Sequence, residues 1–248
     1  MSTNIKSISN PALKLSILSD RDVIRIHSAT LDIIENVGVR FPSDTILHLW
    51  ESFGAQVDYN KSIVKIPGQI IEDALKNCPH TYTLAARDSS QDLPLDGNHV
   101  YVGTDGCGVE VLDINNGVRR TSTLQDVADI ARVADDLEEV AFHWVAVSAQ
   151  DKPPATRGLH ELLAVWENST KHVQTESIYN AHEAKIAIEM ASAIAGGKEA
   201  LRKRPVLSMM QCTAPPLGHD GGSLEAALLA AEVGIPVGFM TMASCLTT

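Results

Sequence analysis

The sequence predicts an α/β protein: the first half of a (β/α)8 TIM barrel, preceded by a small α+β region. Three observations predict it. From about residue 139 onward, apolar strand-like runs alternate with amphipathic helical stretches at spacings of roughly 30–35 residues, the signature of βαβ units on a parallel sheet. No Gly-rich phosphate fingerprint follows the first of these strands, which disfavours a dinucleotide-binding sheet. Hydrophobic residues make up 44% of the 248 and charged residues 21%, an ordinary globular composition that excludes disorder and fibrous repeats.

Residues 1–138 read as a mixed α+β region. Asp20 can cap a helix carrying Ile24, His27, Leu31 and Ile34, with Gly38 as its stop. Ser43 opens a second helix whose Ile46, Leu49, Trp50 and Phe53 share one face. Gln56 to Ile66 reads as a hairpin turning at Tyr59-Asn60-Lys61, and Pro67 begins a short helix through Ile70, Ile71 and Leu75. Thr81–Ala86, His99–Thr104 and Gly108–Asp113 read as strands, and Asn115-Asn116-Gly117 as a turn. Thr123 with Asp126 forms a capping box for a helix with Leu124, Val127, Ala128 and Ala131 on one face.

Residues 139–248 read as four βα units. The strands are Val140–Val147, Lys171–Glu176, Pro205–Thr213 and Pro236–Ala243. The helices between them carry Leu159, Leu162, Leu163 and Trp166, then Ile186, Met190, Ala193 and Ile194, then Leu224, Ala227, Leu228 and Ala231. A barrel needs eight strands, and half of one leaves two open edges. The expectation is therefore a chain that is the N-terminal part of a longer protein, or one that pairs its edges with another chain. A complete four-stranded open sheet is the alternative.

Lys and Arg number 20 against 31 Asp and Glu, a net charge of −11, so the basic footprint of a nucleic-acid or anionic-membrane binder is missing. No apolar run approaches the ~18 residues of a membrane span, and the polar N-terminus has no signal-peptide core. Cys78, Cys107, Cys212 and Cys245 are far apart without a CxxC, which reads as free thiols in a reducing cytoplasm.

In a barrel, chemistry sits at the C-terminal ends of the strands. His172, Gln174 and Glu176 share one strand face by period 2, a polar face that either lines the barrel mouth or forms a satisfied structural network. His143 stands alone in an apolar run, where a hydrogen-bonded core residue is the commoner outcome. Gln150 and Asp151 end the first strand, Cys212 ends the third, and Met240 and Met242 lie on the fourth, where packing alone explains methionine. Gly103-Thr104-Asp105-Gly106-Cys107-Gly108 is a Gly-rich loop holding one carboxylate, Asp105. It is a poor phosphate cradle, and it suits either a permissive turn or a cationic ligand, with Tyr101 and Trp144 as the nearest aromatic faces. His143, His172, His219, Cys107, Cys212 and Cys245 are zinc-type ligands without diagnostic spacing, so no metal site is assigned.

A string of motifs in fixed order resembles the trimethylamine methyltransferase family. It runs through Val111-Leu112-Asp113, Gly117, Arg119-Arg120, Asp126-Val127 and Ala131, then Gln150-Asp151 with Pro153-Pro154 and Thr170-Lys171-His172-Val173-Gln174. It continues through Ile188-Glu189-Met190-Ala191, Ala195-Gly196-Gly197, Leu201-Arg202-Lys203-Arg204-Pro205 and Ala230-Ala231-Glu232 to Gly234-Ile235-Pro236-Val237. The resemblance implies a (β/α)8 barrel that moves a methyl group from a methylated amine to the Co(I) of a corrinoid (cobalamin) carried by a separate cognate protein. No tightly bound cofactor is expected in this chain. Family members are about twice this length. One subset uses pyrrolysine and a larger one, including glycine betaine enzymes, lacks it; that position would fall beyond Thr248.

On this resemblance Asp105 is expected as counter-charge, His143, Gln174 and Glu176 fix the substrate, Trp144 packs on its methyl groups, and Cys212 and Met242 line the mouth. No protein nucleophile is required, so no catalytic residue is assigned. A homo-oligomer is expected, with the corrinoid protein and a small methylated amine as partners. The alternatives are a zinc-assisted barrel methyltransferase using Cys212 and nearby histidines, or a non-catalytic amine- or corrinoid-protein-binding module.

Overall fold

A computed structural model describes residues 5–9 and 15–241. The elements begin with β1 (Ile8–Ser9), α1 (Asp20–Asn36), β2 (Val39–Arg40), α2 (Asp44–Ser52), β3 (Gln56–Asp58), β4 (Ile63–Lys65) and α3 (Gly68–Asn77). The short strands β5 (Tyr82–Leu84), β6 (Leu93–Leu95), β7 (His99–Val100), β8 (Val102–Gly103), β9 (Glu110–Leu112) and β10 (Arg119–Thr121) follow. Then come α4 (Leu124–Asp136), β11 (Val140–Trp144), α5 (Arg157–Asn168), β12 (His172–Thr175), α6 (Ala181–Ala195) and α7 (Lys198–Lys203). The last elements are β13 (Leu207–Cys212), α8 (Gly221–Glu232) and β14 (Val237–Met240).

The chain divides into two compact units. The first is built on residues 81–211 and 226–238, with the N-terminal strand. Its centre is a five-stranded sheet in the order β14-β13-β12-β11-β8, and the pairings of β8, β11, β12 and β13 are all parallel. Helices α4, α5 and α6 are the crossovers, as parallel pairing demands. The helical layer packs Val127 and Ala131 of α4, Leu162, Val165 and Trp166 of α5 and Ala184, Ala187 and Ile188 of α6 onto Val173, Leu207 and Met209 of the sheet. Each fully buried side chain of the Leu or Val class contributes about 1.5–3 kcal/mol. The arrangement is a parallel α/β half-barrel.

The sheet begins one strand earlier than the sequence pattern predicts. The expected boundary at 138 falls inside this unit, between α4 and β11, and α4 is the crossover from β8 to β11. The span His99–Thr104 reads as a strand, but only two residues of β8 pair and a glycine loop with a β9–β10 hairpin follows, so nothing local assigns it to the parallel sheet. Gly103 is required where it stands: a Cβ there would lie 2.5 Å from the Phe142 ring of β11.

α4 starts at the expected capping box. Thr123 N–H and its hydroxyl both donate to Asp126, at 2.8 and 2.7 Å, and the Leu124 amide donates to Asp151 Oδ1 at 2.8 Å. The Arg120 guanidinium forks onto both Asp126 oxygens at 2.7 Å each. At the other end the buried Lys171 ammonium donates to the Ala134 and Leu137 carbonyls, both at 2.7 Å, satisfying acceptors that the helix terminus leaves open.

The second unit is built on the α1–α3 region and residues 212–225. It holds the three-stranded antiparallel sheet β2-β4-β3, with the hairpin expected at Gln56 to Ile66. α1 is capped by Ser19 rather than Asp20, through a capping box with Asp22. Of its expected apolar stripe, Leu31 and Ile34 are half-buried, while Ile24 and His27 are exposed.

Candidate functional site

The register of the parallel strands sets which side chains share a face. Trp144 pairs with Gln174, and Gln174 with Ser208, so these three point to the same side of the sheet. His143 pairs with Val173, which pairs with Leu207, on the opposite side where the helices pack. Two histidines one strand apart are therefore on different faces.

His172 anchors the inner face from below. It is fully buried, its Nδ1–H donates to the Ala85 carbonyl at 2.8 Å, and the Ser208 hydroxyl lies between His172 Nε2 at 2.9 Å and Gln174 Oε1 at 3.3 Å. Burial pushes the His172 pKa down to about 4, so the ring is neutral at pH 7 and fixes the Ser208–Gln174 pair without adding charge.

Above this layer the glycine loop after β8 crosses the end of β11. The Thr104 hydroxyl donates to the Trp144 carbonyl at 2.5 Å and accepts from the Trp144 amide at 2.9 Å. Gly108 N–H reaches the Ala146 carbonyl at 3.0 Å. Gly106 lies directly on the Trp144 indole: a Cβ would come within 2.7 Å of the Val145 carbonyl and 3.0 Å of Trp144 Nε1. That Nε1 is buried and has no hydrogen-bond partner among the described residues. From the next loop position the Cys107 thiol donates to Glu176 Oε1, joining the β8 loop to the end of β12. Burial raises the Tyr179 phenol, as do the neighbouring Cys107 and Glu176.

The site residues expected from the sequence divide as follows. Trp144 and Gln174 lie on the inner face at the strand ends, Glu176 directly follows β12, and Asp105 is exposed on the loop that crosses them. His143 is elsewhere: Nε2 meets the Ser169 hydroxyl at 2.6 Å, Ser169 bonds Asp135 at 2.7 Å, and burial lowers the ring's pKa to about 4. It is a core histidine of the helix side and reaches no ligand at the mouth. Asp151 caps α4 instead of facing the mouth. Cys212 is half-buried and ends β13 on the Ser208 face by alternation. Met242 lies outside the described residues. His219, in the second unit, stacks on Phe41 with centroids 5.3 Å apart. Among the described residues no three His, Cys, Asp or Glu side chains gather as metal ligands.

Sequence reasoning placed Thr104 and Cys107 in the glycine loop and weighed Cys107 as a zinc ligand, but gave neither a role at the site and missed Tyr179. The signal for Cys107 was its place in the glycine loop, but its partner is 69 residues away, and nothing local joins them until β8 is set beside β11.

A parallel α/β half-barrel with an aromatic, an amide and a carboxylate at its strand ends has the architecture in which β/α enzymes carry their sites. The chain belongs to the trimethylamine methyltransferase family, whose model, Trimethylamine methyltransferase (MTTB), matches residues 1–244. It is 33% identical over 224 residues to trimethylamine methyltransferase MttB of Desulfitobacterium hafniense (strain DSM 10664 / DCB-2), covering 90% of this chain and 45% of that protein. It is 28% identical to trimethylamine methyltransferase MttB2 of Methanosarcina mazei, over 93% of this chain and 48% of the relative. Glycine betaine methyltransferase of Desulfitobacterium hafniense (strain Y51) is also 28% identical, over 89% and 46%. The chain thus spans about half the length of the curated relatives it matches. Among solved structures, a hydroxylamine MtmB complex superposes with a TM-score of 0.53 at 13% identity, over 91% of this chain and 46% of that one, a likeness of fold alone.

Proposed function

We propose that this protein takes part in methyl transfer from a quaternary or tertiary methylated amine, of the trimethylamine or glycine betaine kind, to the Co(I) of a corrinoid carried by a partner protein in the cytoplasm, within a complete (β/α)8 barrel. The observation that carries the reading is the make-up of the strand ends: the Trp144 indole, the Gln174 amide and the Glu176 carboxylate. Family membership supports the reaction class.

This donor set fits a direct displacement at carbon. A quaternary ammonium leaves as a neutral tertiary amine when the C–N bond breaks with its electron pair going to nitrogen, and protonated trimethylamine leaves as dimethylamine. Neither requires a proton donor or a protein nucleophile. The corrinoid supplies the electron pair for the new bond to the methyl carbon. The residues here hold the cation, orient one N–CH3 bond and exclude water. Glu176 balances the positive charge, Trp144 offers an aromatic surface to the methyl groups, and Gln174, fixed by Ser208 and His172, gives the rim its geometry.

The test is spectroscopic. The protein is mixed with a corrinoid protein reduced to Co(I), and trimethylamine, glycine betaine, other betaines and carnitine are added in turn. Loss of the Co(I) absorbance with one amine, together with release of its demethylated product, is the expected result. No conversion with any of them, in a preparation shown to hold Co(I), overturns the proposal.

A further inference from the structure

We infer that Cys107 is a positioning residue of this site: its thiol holds the Glu176 carboxylate at the mouth as the counter-charge of the methylated cation, without neutralising it. The inference rests on the methyl-transfer reading and names the residues that would select a cation there. Three contacts and one peptide bond form a chain across the mouth. Glu176 accepts from the Cys107 thiol, Cys107 follows Gly106, Gly106 lies on the Trp144 indole, and Thr104 pins Trp144 through its backbone. The carboxylate at the end of β12 is thereby tied to the same loop that covers the aromatic ring.

The partner's chemistry separates Glu176 from the neighbouring acids. Asp113 and Asp126 face the Arg120 guanidinium, and that cation cancels their charge locally. Asp151 caps α4 and lies 3.8 Å from the Lys152 ammonium. Glu161 is buried, with Oε1 bonded to Ser148 and to the Ala149 amide. Glu176 is held instead by a neutral thiol, a weak donor that fixes direction and leaves the negative charge for a ligand. Tyr179 stands beside this pair, and burial, followed by its charged neighbours, Glu176 among them, disfavours its ionised form. Asp105, exposed on the same loop, is the less constrained carboxylate.

The test compares binding of choline with its neutral isostere 3,3-dimethylbutan-1-ol, and of tetramethylammonium, by calorimetry on the whole chain. Wild-type protein should bind the cations in preference to the isostere. C107A should weaken cation binding about 3- to 10-fold, the range a single hydrogen bond supports, and leave the isostere unchanged. C107S, which restores a donor, should recover most of it. E176Q should abolish the cation preference, and in that background C107A should add nothing. If C107A binds cations like wild type, or weakens both ligands equally, the positioning role is wrong while the functional reading stands. If wild-type protein binds no methylated cation, the functional reading falls and takes this one with it. A melting curve for each variant separates loss of fold from loss of binding. C107A and C107S substitute an exposed side chain, so at least one informative variant is expected to fold.

Discussion

Asp126 offers the most direct check on how the half-barrel is held at the N-terminus of its first crossover. Its carboxylate takes two bonds from the Arg120 guanidinium at 2.7 Å each and two from Thr123, at 2.8 Å from the amide and 2.7 Å from the hydroxyl. The Asp126 side chain is 12% exposed and that of Arg120 is 43% exposed. The guanidinium, followed by the Thr123 bonds, holds the carboxyl far below the usual carboxylate range. Replacing Asp126 with Ala removes a cap worth about 1 kcal/mol and a charge-assisted pair worth about 1.5–3 kcal/mol when shielded. Exposure of Arg120 reduces the second term, so the expected loss is about 2–3 kcal/mol at pH 7. D126N keeps an acceptor for the cap and loses the charge, for about 1–2 kcal/mol.

The sign with pH follows from linkage. A carboxyl depressed in the folded state stabilises fully above its unfolded pKa, near 3.9, and that stability is lost as pH falls below it toward the folded value. The gap between wild type and D126N in urea unfolding should therefore be widest at pH 6–7 and narrow between pH 4 and 2.5. Hydrogen exchange of the α4 amides locates the effect. An unchanged gap at the two ends of that range, or one below about 0.5 kcal/mol at pH 7, would refute the account of Asp126 as a charged cap.

Further outcomes follow from the buried polar groups and close approaches. His143 and His172 have folded pKa values lowered to about 4 by burial, so unfolded chains bind protons that the folded protein does not; stability should fall as pH drops from 6.5 to 4, by up to about 1.4 kcal/mol per pH unit for each ring. Urea midpoints across that range check this, and H172Q should flatten the slope. Lys171→Met leaves the Ala134 and Leu137 carbonyls without their donor and should cost about 2–4 kcal/mol in chemical unfolding. Gly103→Ala places a methyl 2.5 Å from the Phe142 ring and should destabilise by about 1–3 kcal/mol in the same assay, unless Phe142 can turn away. Trp144→Ala should weaken methylated-cation binding about 2- to 30-fold in calorimetry, with Trp144→Phe losing less.

The βαβ rhythm after residue 139 was legible because β11, β12 and β13 are long enough to show alternation and their helices carry complete apolar faces. β8 was not legible as a member of the parallel sheet. Its two residues give no period, and its role depends on pairing with a strand that starts 37 positions after it ends, at Val140. β6 was hidden by Pro94, which an end strand of a two-stranded pair tolerates. The Thr123–Asp126 capping box was readable in full, whereas the true cap of α1, Ser19, was passed over for the adjacent Asp20. Both residue types suit the position, and only backbone geometry decides between them.

The site was half legible for a related reason. Period 2 groups Gln174 with His172 on one face of β12, because that grouping needs only one strand, while Glu176 lies just past the strand end. Assigning His143 to the same site required the register between two strands, which no single-strand pattern contains. Phe142 pairs with His172, so His143 is one residue out of phase and turns to the helices, where Ser169 and Asp135 satisfy it. The same register places Trp144, the next residue, on the inner face. A single-residue phase difference therefore decides which of two adjacent chemistry-bearing side chains faces away from the helices. The two buried histidines are both held neutral and both bonded within the protein, leaving a thiol-held carboxylate, an amide and an indole. Under the proposed function, these are the groups that would meet a methylated cation.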